Sequence, residues 1–191
     1  QSNVNISNLV IDGTKAEDAL NIVSSEFAIS NSQIKNTRSD ALDSDFATGI
    51  ISDSIFSNIG GDAIDFSGGS NKVHDVKIIN VRDKGVSAGE GSVVSLSNLS
   101  ISKVGVGIAT KDGSNVNANN LDIRDYRLHA VMSYMKKDFY GSPAISIKRI
   151  TQNGPDPFSR QNGSNMTVDG QEILEKNFSV KALYDSEIMR K

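Results

Sequence analysis

The sequence repeats itself every 22 or 23 residues over roughly its first 130 residues. The segments SNVNISNLVI, EFAISNSQIK, TGIISDSIFS, NKVHDVKIIN, VVSLSNLSIS and NVNANNLDIR superpose at this interval. An Asn or Asp recurs at one place in each unit, at Asn8, Asn31, Asp53, Asp75, Asn98 and Asn120. Self-similarity at a fixed period of this length indicates a repeat architecture, so the chain must be interpreted unit by unit.

Two columns of apolar residues follow the same period. The first comprises Ile11, Ile34, Phe56, Ile78, Ile101 and Ile123, and the second Leu20, Leu42, Ile64, Val86, Ile108 and Ala130. Units this short cannot enclose a core alone and must stack on one another, which places equivalent side chains about 4.8 Å apart. The period therefore predicts an all-β fold, a right-handed parallel β-helix of about 22 residues per coil.

Two other folds fit the sequence less well than the β-helix. A leucine-rich horseshoe has a similar period but needs repeated leucines, whereas this chain has 20 Ile and 15 Val against 9 Leu. An antiparallel sandwich would show no fixed register. Asparagine at a repeated corner fits the β-helix because its amide can bond the Asn of the next coil and because it tolerates left-handed backbone angles.

The two ends of the chain differ from the repeats. We expect β-helix coils over residues 1–150 and a C-terminal cap over residues 151–191, formed by a loop, a hairpin at Asp169–Gly170 and a short helix. Four residues of the cap share one helical face: Val180, Leu183, Tyr184 and Ile188. The first repeat begins without a preceding cap, so we expect further coils or domains upstream in a longer chain.

Composition excludes several functions. Without cysteine, the chain has no disulfide framework, thiolate zinc site or cysteine nucleophile. A formal charge of −3 argues against a nucleic-acid-binding surface. No apolar run approaches the roughly 18 residues of a membrane span, so no membrane insertion is expected.

Stacking brings acidic residues together. The runs DALDSD and GGDAIDFSG place five carboxylates on two adjacent coils, at Asp40, Asp43, Asp45, Asp62 and Asp65. Like charges opposite one another are destabilising, so something must offset them. Three alternatives remain open: a Ca²⁺ ion bound by these carboxylates, pairing with Lys84 and Lys111, or turn amides that bond Asp40 and Asp62.

Lysines continue the same face on later coils. Lys84 and Lys111 are candidate catalytic residues, because a lysine of lowered pKa can remove the α-proton of a uronic acid. Mixed charge and an aromatic ring nearby suggest substrate contacts from Glu90, Asp112, Lys136, Lys137 and Tyr134. The combination predicts a groove for an acidic polysaccharide.

The runs DALDSD, GDAIDFSG, DKGVSAGE, GIATKDGS and YMKKDFYG resemble bacterial β-helix repeat proteins of the pectate-lyase-like superfamily, over about residues 1–150. Those proteins are often secreted or envelope-attached, so the resemblance implies an extracellular, cell-surface or periplasmic location. The acidic coils are similar to those of family 9 pectate lyases, which implies Asp40, Asp62 and Asp65 as Ca²⁺ ligands. The lysine base of that family falls on Ser87 here, which leaves Lys84 or Lys111 to replace it.

Two functions follow from this sequence. The first is a module that engages an acidic polysaccharide along the Asp/Lys face, with a Ca²⁺-assisted lyase or epimerase as its enzymatic form. The second is a non-catalytic structural, carbohydrate-binding or adhesin module of a larger surface protein.

Overall fold

Each coil of the chain contributes one strand to each of three parallel sheets. The computed structural model describes residues 2–189. It is a parallel β-solenoid of about eight coils, with about 22 residues per turn, 67% strand and 4% helix. The predicted fold class is confirmed.

The strands divide among the sheets as follows. The first sheet contains β1 (Asn3–Ser7), β4 (Glu26–Ser30), β7 (Thr48–Ser52), the opening parts of β10 (Ser70–Gly89), β11 (Val93–Lys111) and β12 (Asn115–Tyr134), then β13 (Ala144–Gln152) and β15 (Asn165–Val168). The second contains β2 (Val10–Thr14), β5 (Gln33–Thr37), β8 (Ile55–Ile59), the middle of β10 to β12 and the end of β13. The third contains β3 (Asp18–Val23), β6 (Asp40–Asp45), β9 (Ile64–Ser67), the ends of β10 to β12, then β14 (Phe158–Gln161) and β17 (Glu175–Lys176).

The apolar columns form continuous ladders inside the coils. Neighbours in the first column pair in register from Ile11 to Ile123. The second column runs in register from Leu20 to Ile108 and continues to Val131, where we predicted Ala130. A register shift before this position adds one residue, and both Ala130 and Val131 are buried. Each fully buried aliphatic side chain stabilises the folded state by about 1.5–3 kcal/mol, and this burial requires that the coils stack.

Asparagine and aspartate occupy corners of the coils, where their backbone adopts left-handed φ angles. All six residues of the predicted column have φ between 48° and 57°. Asn120 donates its amide to Asn98 at 2.8 Å, as predicted for stacked corners. A second ladder, which the sequence did not single out, runs from Asn80 through Asn58 to Asn36 with amide bonds of 2.9 and 3.0 Å.

Parallel strand pairing continues beyond residue 150. Strands β14 and β15 pair in parallel with β12 and β13, and β15 forms the predicted hairpin with β16 (Gln171–Glu172). At the tip of this hairpin, Asp169 and Gly170 have φ of 49° and 81°. A 3₁₀ helix spans Asp138–Tyr140.

The short C-terminal helix, α1 (Val180–Tyr184), begins after Ser179, whose side chain accepts a bond from the amide of Ala182. It lies against the outer side of the third sheet rather than over the end of the core. The residues that it and its flanks pack around there are Val106, Ala109, Met132 and Tyr134. Among the residues described, no helix has the length and apolar character needed to cross a membrane.

Candidate functional site: an Asp/Lys cleft on the third sheet

The outer face of the third sheet carries the residues singled out from the sequence. Asp43 pairs in register with Asp65, followed by Ser87, Ala109 and Met132. Asp43 and Asp65 are therefore direct neighbours, as the 22-residue period predicted. The face begins as acid on the early coils and becomes apolar where the C-terminal segment covers it.

Asp40 and Asp62 lie at the corner that precedes this strand, and both are buried. The amide of Asp62 donates to Asp40 Oδ1 at 2.8 Å, and the amide of Lys84 donates to Asp62 Oδ1 at 2.9 Å. Each carboxylate thus accepts a hydrogen bond from a backbone amide of the next coil. Of the three alternatives for these acids, this is the one in which turn amides bond Asp40 and Asp62. Glycine is required at position 61 because the Asp40 carboxylate lies against its backbone, and a Cβ there would lie 1.9 Å from Asp40 Oδ1.

Lys84 is buried between two carboxylates. Its Nζ lies 2.7 Å from Asp83 Oδ2 and 3.3 Å from Asp62 Oδ1. Burial alone would lower the pKa of Lys84, but the charges of Asp62 and Asp83 outweigh it and raise that pKa. Burial also raises the pKa of Asp62, and the Lys84 ammonium acts against that rise.

Lys111 extends along the same face toward Asp65. Its Nζ lies 3.9 Å from Asp65 Oδ1, and the side chain passes over Gly89, where a Cβ would meet Lys111 Cε at 3.4 Å. Burial would lower the pKa of Lys111, but the acidic groups around it, Asp65 foremost, together outweigh burial and raise that pKa.

These pKa directions correct one expectation. A lysine that removes a carbon-bound proton needs a lowered pKa, and the pKa values of Lys84 and Lys111 are both raised. The aspartates beside them, buried around Lys84 and half-buried beside Lys111, are the physical reason. As arranged, both lysines carry a positive charge at neutral pH.

Lys136 differs from the other two lysines. Its side chain is exposed and its Nζ lies 4.2 Å from the ring centroid of Tyr184, a cation–π contact. Within residues 2–189, no carboxylate lies within 4.0 Å of this ammonium. Desolvation, followed by repulsion from Lys111, Lys84 and Lys137, lowers the pKa of Lys136.

A cleft of about 280 Å³, which we call the Asp/Lys cleft, joins these groups. Its lining comes from three coils, the loop after β12 and the C-terminal segment: Asp62, Asp65, Asp83, Lys84, Lys111, Lys136, Tyr184 and Met189. Lys84 is neutralised by two carboxylates, whereas Lys111 has one distant partner. The Lys111 and Lys136 end of the cleft therefore carries the positive charge that is least compensated.

Four other predicted contacts lie outside the cleft. Tyr134 is fully buried, and its hydroxyl bonds that of Tyr184 at 2.9 Å, so with the C-terminal segment in place its ring is not open to a sugar. Asp112 Oδ1 accepts the amides of Lys136 and Lys137 at 2.6 Å, and Glu90 pairs with the Lys137 ammonium. These contacts fix the loop that presents Lys136.

Asp43 lies at the other end of the face and is half-buried. Desolvation raises the pKa of Asp43 to about 7, reinforced by the charges of Asp65 and Asp45. Asp45 is in register with Val23, and its carboxylate accepts a hydrogen bond from the side-chain amide of Asn21 at 3.3 Å. Asp43 can therefore hold or release a proton near neutral pH, beside a second carboxyl group.

Two of the predicted Ca²⁺ ligands already bind other groups. Asp40 and Asp62 direct an oxygen to backbone amides, and Asp62 also binds Lys84. Across the described part of the chain, no three Asp, Glu, His or Cys side chains converge as a metal-binding group. These bonds engage Oδ1 of both Asp40 and Asp62, and the other predicted ligands are Asp43, Asp45 and Asp65.

Sequence reasoning missed two contributors to the cleft. Asp83 precedes Lys84 directly, so an alternating strand would place their side chains on opposite sides, but a register shift between Val81 and Lys84 lets both meet. Tyr184 was assigned to an apolar helical face, and that face packs on the sheet while the ring also borders the cleft. No local pattern indicates either contact.

Comparison with protein families, with curated protein sequences and with solved structures found no match for this chain. The site must therefore be interpreted from its own geometry. It can hold an anion at the lysine end and exchange a proton at the Asp43 end.

Proposed function

We propose that the Asp/Lys cleft engages an acidic polysaccharide. The observation that carries this proposal is the positive charge of Lys111 and Lys136, the least compensated in the cleft, at one end of a cleft whose other wall is acidic. A uronic acid carries one carboxylate and several hydroxyl groups. Its carboxylate suits the two ammonium groups, and its hydroxyls suit carboxylates such as Asp65 as hydrogen-bond acceptors.

The ligand class also defines the setting that we propose. Acidic polysaccharides occur at cell surfaces and in the extracellular and periplasmic spaces, so we assign the protein to these locations. We further propose that it belongs with bacterial β-helix proteins of the pectate-lyase-like superfamily, on the sequence resemblance alone.

Binding is tested with a Lys136→Met variant. We expect oligogalacturonate affinity, measured by calorimetry, to fall about tenfold, because a charge-assisted contact of about 1.4 kcal/mol is removed. Lys148→Met is the matched control, since Lys148 is an exposed lysine of the first sheet, outside the cleft. Equal losses in both variants, or no binding by the native chain to a panel of acidic polysaccharides, would refute the proposal.

A catalytic form of this function is favoured by Asp43. A carboxyl group with a pKa of about 7 beside a second carboxyl group can accept and return a proton in uronate elimination or epimerisation. Ultraviolet absorbance detects unsaturated products, and exchange of the sugar C5 proton in heavy water detects epimerisation. Activity that Asp43→Asn abolishes while binding persists supports the enzyme, whereas binding without either reaction supports a non-catalytic module.

Calcium assistance would rest on Asp43, Asp45 and Asp65. A ligand bound only by the folded state raises the melting temperature, so millimolar Ca²⁺ should raise it in the native chain and not in Asp45→Asn. An unchanged melting temperature, with polysaccharide binding that is insensitive to chelators, removes calcium from the proposal.

A further inference from the structure

An arginine ladder runs along the corner between the second and third sheets. One position recurs in successive coils as Lys15, Arg38, Gly60, Arg82, Gly105 and Arg127, each directly after a residue of the second-sheet ladder. Arginine and glycine therefore alternate. The backbones of Arg38 and Arg82 lie about 10 Å apart, because two coil steps of about 4.8 Å separate them.

The glycines of the ladder lie where the backbone of the preceding coil comes too close for a side chain. A Cβ on Gly60 would lie 2.0 Å from the Arg38 carbonyl oxygen, and one on Gly105 would lie 2.5 Å from the Asp83 carbonyl oxygen. Arg127 reaches back two coils, where its Nη2 donates to the Arg82 carbonyl. Arg82 in turn donates to the carbonyl of Glu187 at 3.1 Å. Two guanidinium groups are thus oriented near one level of the ladder.

Two adjoining cavities form a groove over this ladder. Their volumes are about 480 and 500 Å³, and they share Gly60 and Arg82. The lining holds the four cationic side chains of the ladder together with Lys103, and all of these are exposed. None of the four ladder cations makes an ion pair with a carboxylate in the described range 2–189.

The opposing charge in the groove is small. Asp83 is already paired with Lys84, which leaves Glu17 and Asp125 as the other acids of the lining. Five cations therefore face two available carboxylates. Arginine binds planar carboxylate and sulfate groups through two parallel hydrogen bonds, so the excess favours a polyanion over a neutral ligand.

The neighbouring residues indicate which polyanion fits. Asn58 and Asn80 of the amide ladder line the same groove, two residues before Gly60 and Arg82. Side-chain amides bind sugar hydroxyls as donors and acceptors. The described lining contains no aromatic ring, whereas single-stranded nucleic acids are held by stacking on aromatic side chains. Hydroxyl and carboxylate recognition together describe an acidic sugar.

We infer that the arginine ladder is a second binding site for a linear acidic polysaccharide, separate from the Asp/Lys cleft. It shares a ligand class with the proposed function but uses none of the lysines that carry it. Asp83 and Met189 border both sites, so one polymer chain can extend from the ladder to the cleft. The ladder would then hold the chain while the cleft receives one sugar.

The test compares two double variants of equal charge. Arg38→Gln with Arg82→Gln should weaken heparin and polygalacturonate oligosaccharide binding about tenfold in calorimetry. Arg124→Gln with Arg149→Gln, exposed and outside the groove, should change affinity less than about twofold. Circular dichroism checks the fold, and Arg38→Gln alone, whose side chain makes no bond within residues 2–189, should weaken binding about threefold.

The outcomes separate this inference from the proposed function. Loss in the Lys136→Met variant with no loss in the arginine variant overturns the ladder and keeps the cleft. Loss only in the arginine variant keeps the ladder and overturns the cleft. Equal loss in both double variants, or tighter binding of single-stranded DNA than of either polysaccharide through the same arginines, overturns the ladder.

Discussion

Two pairs of aspartates on adjacent coils have opposite environments. Asp40 and Asp62 are buried at a corner, where each accepts a backbone amide and Asp62 also meets an ammonium. Asp43 and Asp65 lie three residues further along each coil, on the outer face, where the two carboxyl groups oppose each other in register. The same residue type at the same period therefore stabilises the coil in one column and is available for chemistry in the other.

The difference arises from the partners that each column meets. A buried carboxylate that accepts an amide bond or faces a lysine is partly compensated, and its removal leaves the partners unsatisfied. A carboxylate that faces another carboxylate is poorly compensated, and its neutralisation relieves repulsion. Substitutions in the two columns should therefore change stability in opposite directions.

The largest effect is expected for Lys84→Met. This change leaves Asp62 and Asp83 buried without their cation, and we expect a loss of about 3–5 kcal/mol in the free energy of unfolding measured in urea at pH 7. Lys137→Met, which breaks a pair at the surface, should lose less than about 1 kcal/mol. If the two variants lose the same amount, the corner column does not depend on buried charge.

Asp40→Ala gives the next largest effect. Removing the acceptor of the Asp62 amide should reduce stability by about 1.5–3 kcal/mol, and Asp40→Asn, which keeps an acceptor oxygen, should lose less. Asp43→Ala is the control on the same strand and should not destabilise the coil at pH 7. A destabilised Asp43→Ala protein would erase the distinction between the columns.

Asp43→Asn should stabilise the protein by about 1–2 kcal/mol at pH 8, a modest gain because water screens this half-buried group. The pKa of Asp43 rises from 3.8 to about 7 on folding, so the native state holds the proton more tightly. Native stability is consequently lost as pH rises from about 4 to 7, and the advantage of the variant grows over this window. Urea unfolding at pH 4, 5.5 and 8 measures it, and an advantage that is independent of pH would contradict the assignment.

The period and the apolar columns were enough to predict the fold, the corner asparagines and the contact between Asp43 and Asp65. Those features depend on residues one coil apart, and spacing alone determines them. The partners of the lysines were harder to predict. Asp83 meets Lys84 through a register shift, and Tyr184 comes from a segment that crosses several coils, so neither contact follows the period.

Function was the least predictable part for the same reason. Sequence spacing placed Asp43 beside Asp65 but gave no burial, and burial, together with the carboxylates that outweigh it, determines the pKa of Lys84 and Lys111. It also separates Tyr134, which is enclosed, from Lys136, which reaches the cleft. The alternation of arginine and glycine was readable in the sequence, but its importance required the groove over it.

The segment of residues 178–189 rests on the outside of the solenoid and supplies Tyr184 to the cleft and Met189 to both cavities. Coils can stack as soon as they emerge during synthesis, whereas the recognition surface is complete only after this late segment docks. A protease that trimmed the segment would thus separate folding from binding, leaving an intact solenoid whose binding surface is incomplete.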